Sequence, residues 1–231
     1  MNQRHLNIAK DVDVQKLRVE LNNSYKELIA LGLNRGTSGN CSARLASNQC
    51  LITPSGVAAI ELTPASMTQV TMDGHVLSNG KPSSEWRLHC DILSHRPEIN
   101  AVVHTHSVAA TALACLRKDI PPFHYMVAVA GGDSIRCAPY ALFGSQSLSD
   151  YALIALVGRK ACLMANHGVV ALGVNLTEAV QLALEVETLA DQYLRALAIG
   201  EPCILSASEM LEVSEQFKAY GYKSHVEKLE E

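Results

Sequence analysis

The 231-residue chain contains no apolar stretch that approaches the ~18 residues a membrane-spanning helix requires. Its first residues, 1–13, are polar and mixed in charge, and they hold no signal-peptide hydrophobic core. Both absences point to a cytoplasmic protein with no membrane partner. There is no long basic run, and the formal net charge is -4. A nucleic-acid partner would leave a basic footprint, so none is expected. No G-x-x-x-x-G-K-[ST] occurs, which leaves a nucleotide P-loop without support. The seven cysteines are odd in number and widely spaced, with no C-x-x-C among them. That pattern argues for reduced, buried thiols rather than a disulfide framework. Internal repeats, low-complexity segments and interdomain linkers are also lacking, so residues 1–231 are expected to form one domain.

Hydrophobic residues make up 48% of the chain and charged residues 18%, enough apolar material for one sizeable core. Leu17, Leu21, Leu28 and Leu31 recur at helical spacing, and Gly32 is a stop signal, which predicts a helix over 14–33. Residues 41–45 and 50–53 read as a hairpin, and 69–72 with 75–77 as another around Asp73-Gly74. A helix from Ser83 or Ser84 to His95 is stopped by Pro97. Strands are expected at 101–104, 123–129, 135–138, 161–165 and 169–172. Further helices are expected at 108–116, 148–157, 176–199 and from 206 or 207 to 220. The order is mixed α/β with short turns between strands. It suggests a mostly antiparallel sheet covered by helices rather than a regular βαβ series.

Among nine histidines, His104 and His106 stand two apart at the end of the strand 101–104. Residues i and i+2 of a strand share a face, so both imidazoles can reach one cation. His167, before Gly168 at another strand end, is the best third nitrogen. Three protein ligands with an open position are the usual arrangement of a catalytic zinc site. Taken alone, the pair reads first as two polar strand-end residues. Glu85 falls in a first helical turn, where the macrodipole favours a carboxylate, as it would favour an ordinary capping acid. His89, four residues on, is either a fourth ligand or a helix-face residue. Gly36-Thr37-Ser38-Gly39-Asn40, Ser55-Gly56 and Ser83-Ser84 offer backbone N–H groups and hydroxyls that can cradle an anion without a cluster of lysines. Each is also readable as a plain turn or cap.

The order of these segments says more than any one of them. Gly36-Thr37-Ser38-Gly39-Asn40, Ile52-Thr53-Pro54-Ser55-Gly56, Pro82-Ser83-Ser84-Glu85, His104-Thr105-His106 and Asn166-His167-Gly168 follow one another in this sequence. The series resembles the class II aldolase/epimerase family, and within it the branch of the fuculose-phosphate aldolases. The resemblance runs from about residue 21 to 220. It extends to His124-Tyr125-Met126, to residues 138–144 and to residues 217–221. It implies a three-layer α/β/α fold and a zinc ion on His104, His106 and His167, with Co2+ or Mn2+ as alternatives. It implies Glu85 as acid/base, ligating the metal when substrate is absent. Gly39, Asn40, Ser55, Gly56, Ser83 and Ser84 match phosphate-binding positions, and Phe143 an apolar wall near the aldehyde. Tyr125 and Tyr220 match tyrosines that reach an active site shared between subunits of a homotetramer. The implied reaction is retro-aldol cleavage of a ketose 1-phosphate to dihydroxyacetone phosphate and an aldehyde. L-Fuculose 1-phosphate, giving lactaldehyde, comes first. 5-Deoxy- or 5-(methylthio)-ribulose 1-phosphate, giving acetaldehyde or (methylthio)acetaldehyde, is the nearest alternative. A pentulose-phosphate 4-epimerase, a methylthioribulose-1-phosphate dehydratase and a non-catalytic adducin-like domain remain as others. Thr105 and Asn166, beside the ligands, differ from what the fuculose enzyme leads one to expect. No lysine stands in a core strand, as a Schiff-base aldolase would need.

Overall fold

A computed structural model describes residues 13–219, so Tyr220 and the tail beyond it lie outside the described residues. Helix α1 (Val14–Ala30) opens on Asp13, whose Oδ1 accepts from the N–H groups of Gln15 and Lys16 at 3.0 and 3.2 Å. It closes where Gly32 turns left-handed at φ 74°, close to the expected stop. The remaining helices are α2 (Trp86–His95), α3 (Val108–Cys115), α4 (Gln146–Ala155), α5 (Leu176–Ile199) and α6 (Ala207–Ala219).

The strands are β1 (Asn40–Ala46), β2 (Gln49–Ile52), β3 (Thr68–Thr71), β4 (Ala101–Thr105), β5 (Cys137–Ala138), β6 (Ala161–Met164) and β7 (Gly168–Gly173). They form one seven-stranded sheet in the order β3-β2-β1-β4-β7-β6-β5. Every pairing is antiparallel except β5 with β6. The mostly antiparallel sheet read from the short turns is therefore correct.

Side-chain alternation divides the core into two layers. Ala101 and Val103 of β4, with Ala161 and Leu163 of β6, join residues of α1, α3, α5 and α6 in one cluster. Val102, Cys162 and Met164 join α2 and α4 in the other. His104 has the parity of Val102, so it faces the α2 side. That parity decides where the chemistry sits, because α2 is the helix that Glu85 precedes.

Two strand expectations fail. Residues 123–129 hold a 3-10 helix, Tyr125–Ala130, rather than a strand. His124 accepts the N–H of Met126 at 3.2 Å, and Gly131 ends the helix at φ 89°. Local capping thus overrides the β-branched run. Residues 75–77 reach the sheet only through an isolated bridge between Val70 and Val76. Of the seven cysteines, Cys41, Cys50, Cys90 and Cys162 are buried, Cys137 is partly covered, and Cys115 and Cys203 are exposed; all are free thiols. No described helix is long and apolar enough to cross a membrane.

Candidate active site

The antiparallel register builds the site. Asn40 on β1 lies opposite His104 on β4, and Thr105 lies opposite Val169 on β7. His104 and His106 therefore end up beside the turn that carries His167. Asn166 makes this turn with a left-handed backbone at φ 55°. The three imidazole centroids lie 4.8, 4.8 and 5.1 Å apart, each pair edge to face. Glu85 closes the group, 3.2 Å from Nε2 of His104 and 3.2 Å from Nε2 of His167.

Glu85, His104, His106 and His167 each present one donor atom, and these atoms lie within 4.8 Å of one another. Three observations show that the set fits a divalent cation. First, Nδ1–H of His104 donates to the Val169 carbonyl at 2.8 Å, so the lone pair of the neutral ring is on Nε2, aimed at the centre. Second, Nε2 of His106 lies 2.9 Å from Nε2 of His104, a contact natural for two ligands of one ion. Third, Oε1 of Glu85 is buried without a hydrogen-bond partner. Three nitrogens and one carboxylate oxygen form a borderline donor set, suited to zinc and its neighbours.

Protonation follows from burial and charge. Burial, with His104 close by, holds the pKa of His106 and of His167 down at about 4, so both rings are neutral near pH 7. Burial opposes the charged form of His104 too, but the facing Glu85 carboxylate and the Val169 carbonyl outweigh it and hold that pKa above the ordinary value. Burial disfavours the Glu85 carboxylate. The neighbouring His104 and His167 and the amide of Asn40 overcome this, and its pKa lies well below the usual carboxylate range.

Beside the four donors opens a recess of about 340 Å³. Gly39, Asn40, Ser55, Gly56, Ser83, Ser84, Phe143, Glu85, His106 and His167 all line it. No lysine or arginine does. Two of its turns are tied together, since Ser55 N–H donates to the Lys81 carbonyl and Ser83 N–H to that of Thr53, both at 3.0 Å. Gly39 is left-handed at φ 73°, and a Cβ there would meet the Asn34 amide at 2.3 Å. His104 sits behind the recess at 0% exposure. Tyr125 is not part of the lining; it is exposed, stacked on His124.

Two alternative readings of local roles fall away. Glu85 takes the N-cap position of α2 but makes no capping bond, because its side chain turns to Asn40 and the histidines. His89 is fully buried and stands outside the four-donor group, so the fourth-ligand reading fails. It bonds instead to Ser42 and Asn40. Asn34 went unnoticed in the sequence, although its Oδ1 accepts the His106 backbone N–H at 3.0 Å. Only its position in a turn-rich segment hinted at a role. Tyr140 and Ala141, also lining residues, carried no signal beyond their place in the 138–144 match.

Residues 19–194 match the family model described as Class II Aldolase and Adducin N-terminal domain. The chain belongs to this family. A 5-methylthioribulose-1-phosphate/5-deoxyribulose-1-phosphate aldolase of Rhodospirillum rubrum is 53% identical over 205 residues, 89% of this chain and 92% of that one. An L-fuculose phosphate aldolase of Escherichia coli is 46% identical over 209 residues, 90% of this chain and 97% of that one. A solved structure of an L-fuculose 1-phosphate aldolase superposes with a TM-score of 0.84 at 38% identity, covering 88% of this chain and 96% of that one. The chain is a class II, metal-dependent aldolase, an aldehyde-lyase of α/β fold.

Proposed function

We propose that this aldolase cleaves the C3–C4 bond of a ketose 1-phosphate, releasing dihydroxyacetone phosphate and a short aldehyde. The observation that carries this reading is the junction of a four-donor cluster with a recess of neutral hydrogen-bond donors. One part suits a cation and the other a phosphate.

His104, His106 and His167 would hold zinc, with Glu85 as a further ligand when no substrate is bound. Bound there, the cation supplies Lewis-acid polarisation of the C2 oxygen, where charge collects as the bond breaks. Gly39, Asn40, Ser55, Gly56, Ser83 and Ser84 seat the phosphate and fix the ketose before reaction, converting part of the barrier into prepaid orientation. Glu85 returns a proton to C3 after cleavage and removes it in the condensation direction. Its depressed pKa keeps it ionised and able to remove that proton; in cleavage it first takes up the proton released by the C4 hydroxyl, which it then gives to C3. Tyr125 and Tyr220, brought from neighbouring copies of a homotetramer, take the aldehyde side and mediate loss of the C4 hydroxyl proton. The exposure of Tyr125 supports this arrangement. The tetramer is tested by light scattering.

For the substrate, 5-deoxy- or 5-(methylthio)-ribulose 1-phosphate takes the lead over L-fuculose 1-phosphate. The 53% relative supports that order. So do Tyr140, Ala141 and Phe143, which offer an apolar wall to a methyl or thioether terminus. The fuculose reading keeps the support of the 46% relative and of the superposed structure. An adducin-like binding role leaves the four convergent donors without a purpose. The test is a cleavage assay across ketose 1-phosphates that differ only beyond C4, with and without chelator. Equal rates in chelator would remove the metal role, and a clear preference for the fuculose compound would restore the sequence-based order.

A further inference from the structure

Behind Glu85 lies a buried chain of side chains of which only Asn40 and Glu85 line the substrate recess. Ser42 Oγ is 2.8 Å from Nδ1 of His89, Nε2 of His89 bonds to Oδ1 of Asn40, and Nδ2 of Asn40 donates to Oε2 of Glu85 at 2.9 Å. His89 and Ser42 are 0% exposed. Burial holds the His89 ring far below its ordinary pKa, at about 3, so it carries one N–H.

That single proton has two places to sit, and they differ in consequence. On Nε2 it is donated to the Asn40 carbonyl, the Ser42 hydroxyl donates to Nδ1, and the Asn40 NH2 group is left to face the carboxylate. On Nδ1 it is donated to Ser42. Nε2 must then accept from Asn40, and the amide presents its oxygen to Glu85, acceptor against acceptor. All three contacts, Ser42 to His89, His89 to Asn40 and Asn40 to Glu85, pair a donor with an acceptor only in the first arrangement.

We propose that His89, with Ser42, is a positioning pair that fixes the Asn40 amide and thereby the carboxylate of Glu85. Oε2 is anchored by Asn40, which leaves Oε1, without a hydrogen bond and 3.2 Å from Nε2 of His167, as the oxygen turned to the site. The inference rests on the assignment of Glu85 as acid/base made above. His89 itself touches no reacting atom.

The direct test is the imidazole 15N spectrum of the full-length protein, with and without zinc. We expect a protonated Nε2 and an unprotonated Nδ1 at His89 in both. The opposite tautomer overturns the proposal, whatever any variant does. The functional test compares His89→Phe with His89→Gln, whose amide can donate to Asn40 and accept from Ser42. In His89→Phe we expect deuterium uptake at C3 of dihydroxyacetone phosphate and kcat to fall together about 10- to 100-fold. Zinc content should stay within about twofold, because the three imidazoles are untouched. His89→Gln should recover most of the loss. Uptake at the wild-type rate in His89→Phe, or an equal loss in both variants, overturns the positioning role. Glu85→Gln is run alongside. If it too exchanges normally, the acid/base reading of Glu85 is what has failed, and this inference falls with it.

Discussion

Gly168→Ala places a methyl group where three site elements converge. Gly168 is the first residue of β7 and follows His167 directly. A Cβ there would lie 2.3 Å from the Thr105 carbonyl oxygen, 3.0 Å from Cδ2 of His106 and 3.3 Å from Cε1 of His104. Its φ is not in the left-handed region, so the effect is steric and not conformational. A relaxed carbon–oxygen contact is ~3.3 Å, so strands β4 and β7 must part by about 1 Å. The carbonyl cannot swing away, because β4 is held by β1 on one side and β7 on the other. Overpacking of this kind costs about 1–3 kcal/mol. At ~2–4 °C per kcal/mol for a chain of this size, Tm falls by as much as ~6–12 °C. The strand that is pushed carries His104 and leads directly into His106, so metal affinity should fall by about 10- to 100-fold, the usual size of a supporting-shell defect. Thermal melts of the metal-free protein and competition against a chromophoric chelator measure the two effects. Gly200→Ala is the control. Its Cβ meets nothing within 4 Å and its φ of 175° is extended. If Gly168→Ala melts and binds metal like wild type, the close packing of β7 against the histidine strand is not what shapes the site.

The other predictions concern the chemistry directly. His106→Ala should lose bound metal and activity together; normal turnover by a metal-free His106→Ala protein would refute the metal role. Glu85→Gln should keep its metal but lose C3 proton exchange by roughly 10²–10⁴-fold, read as solvent deuterium uptake by NMR. Metal-free protein should lose stability on acidification. His106 and His167 have folded pKa values of about 4, below the unfolded value of ~6.5, so unfolding takes up protons between these limits. Their contribution is complete above the unfolded value and lost as pH falls towards 4. His89, at about 3, has the same sign. His104, with its raised pKa, works in the opposite sense; it adds stability below the unfolded value and loses it as pH rises through the folded one. Urea midpoints between pH 7.5 and 4.5 should therefore decline, and a rise over that window would contradict the assignment.

The four donor residues were legible because strand geometry is local. His104 and His106 share a face by period two, and Glu85 precedes a helix that packs on that same face. His167 was readable as a strand-end residue, but its meeting with the pair depends on β7 lying beside β4, a crossover that no local pattern specifies. The recess was legible as a set of turns, not as one cavity. The bridge between Pro54 and Pro82 that joins two of them spans residues far apart in the chain. The role of His89 stayed open for a related reason. Its partners lie on β1, 47 and 49 positions away, and only the packing of α2 against that strand makes a buried polar helix residue necessary. Residues 123–129 misled because Phe123, Tyr125, Val127 and Val129 favour a strand by composition, whereas the His124 cap and the left-handed Gly131 define a short helix.

The recess is walled by hydroxyls, amides and apolar side chains, and its one anionic group is Glu85. With a net charge of -4 on the whole molecule and no lysine or arginine in the lining, no side chain of the recess draws an anion inward at long range. In the metal-free protein, encounter with a phosphate should thus be governed by plain diffusion and shape, nearly indifferent to ionic strength. A divalent cation on the four donors would bring the recess its one positive charge, so a salt dependence of anion binding that appears only on metal loading would report that ion.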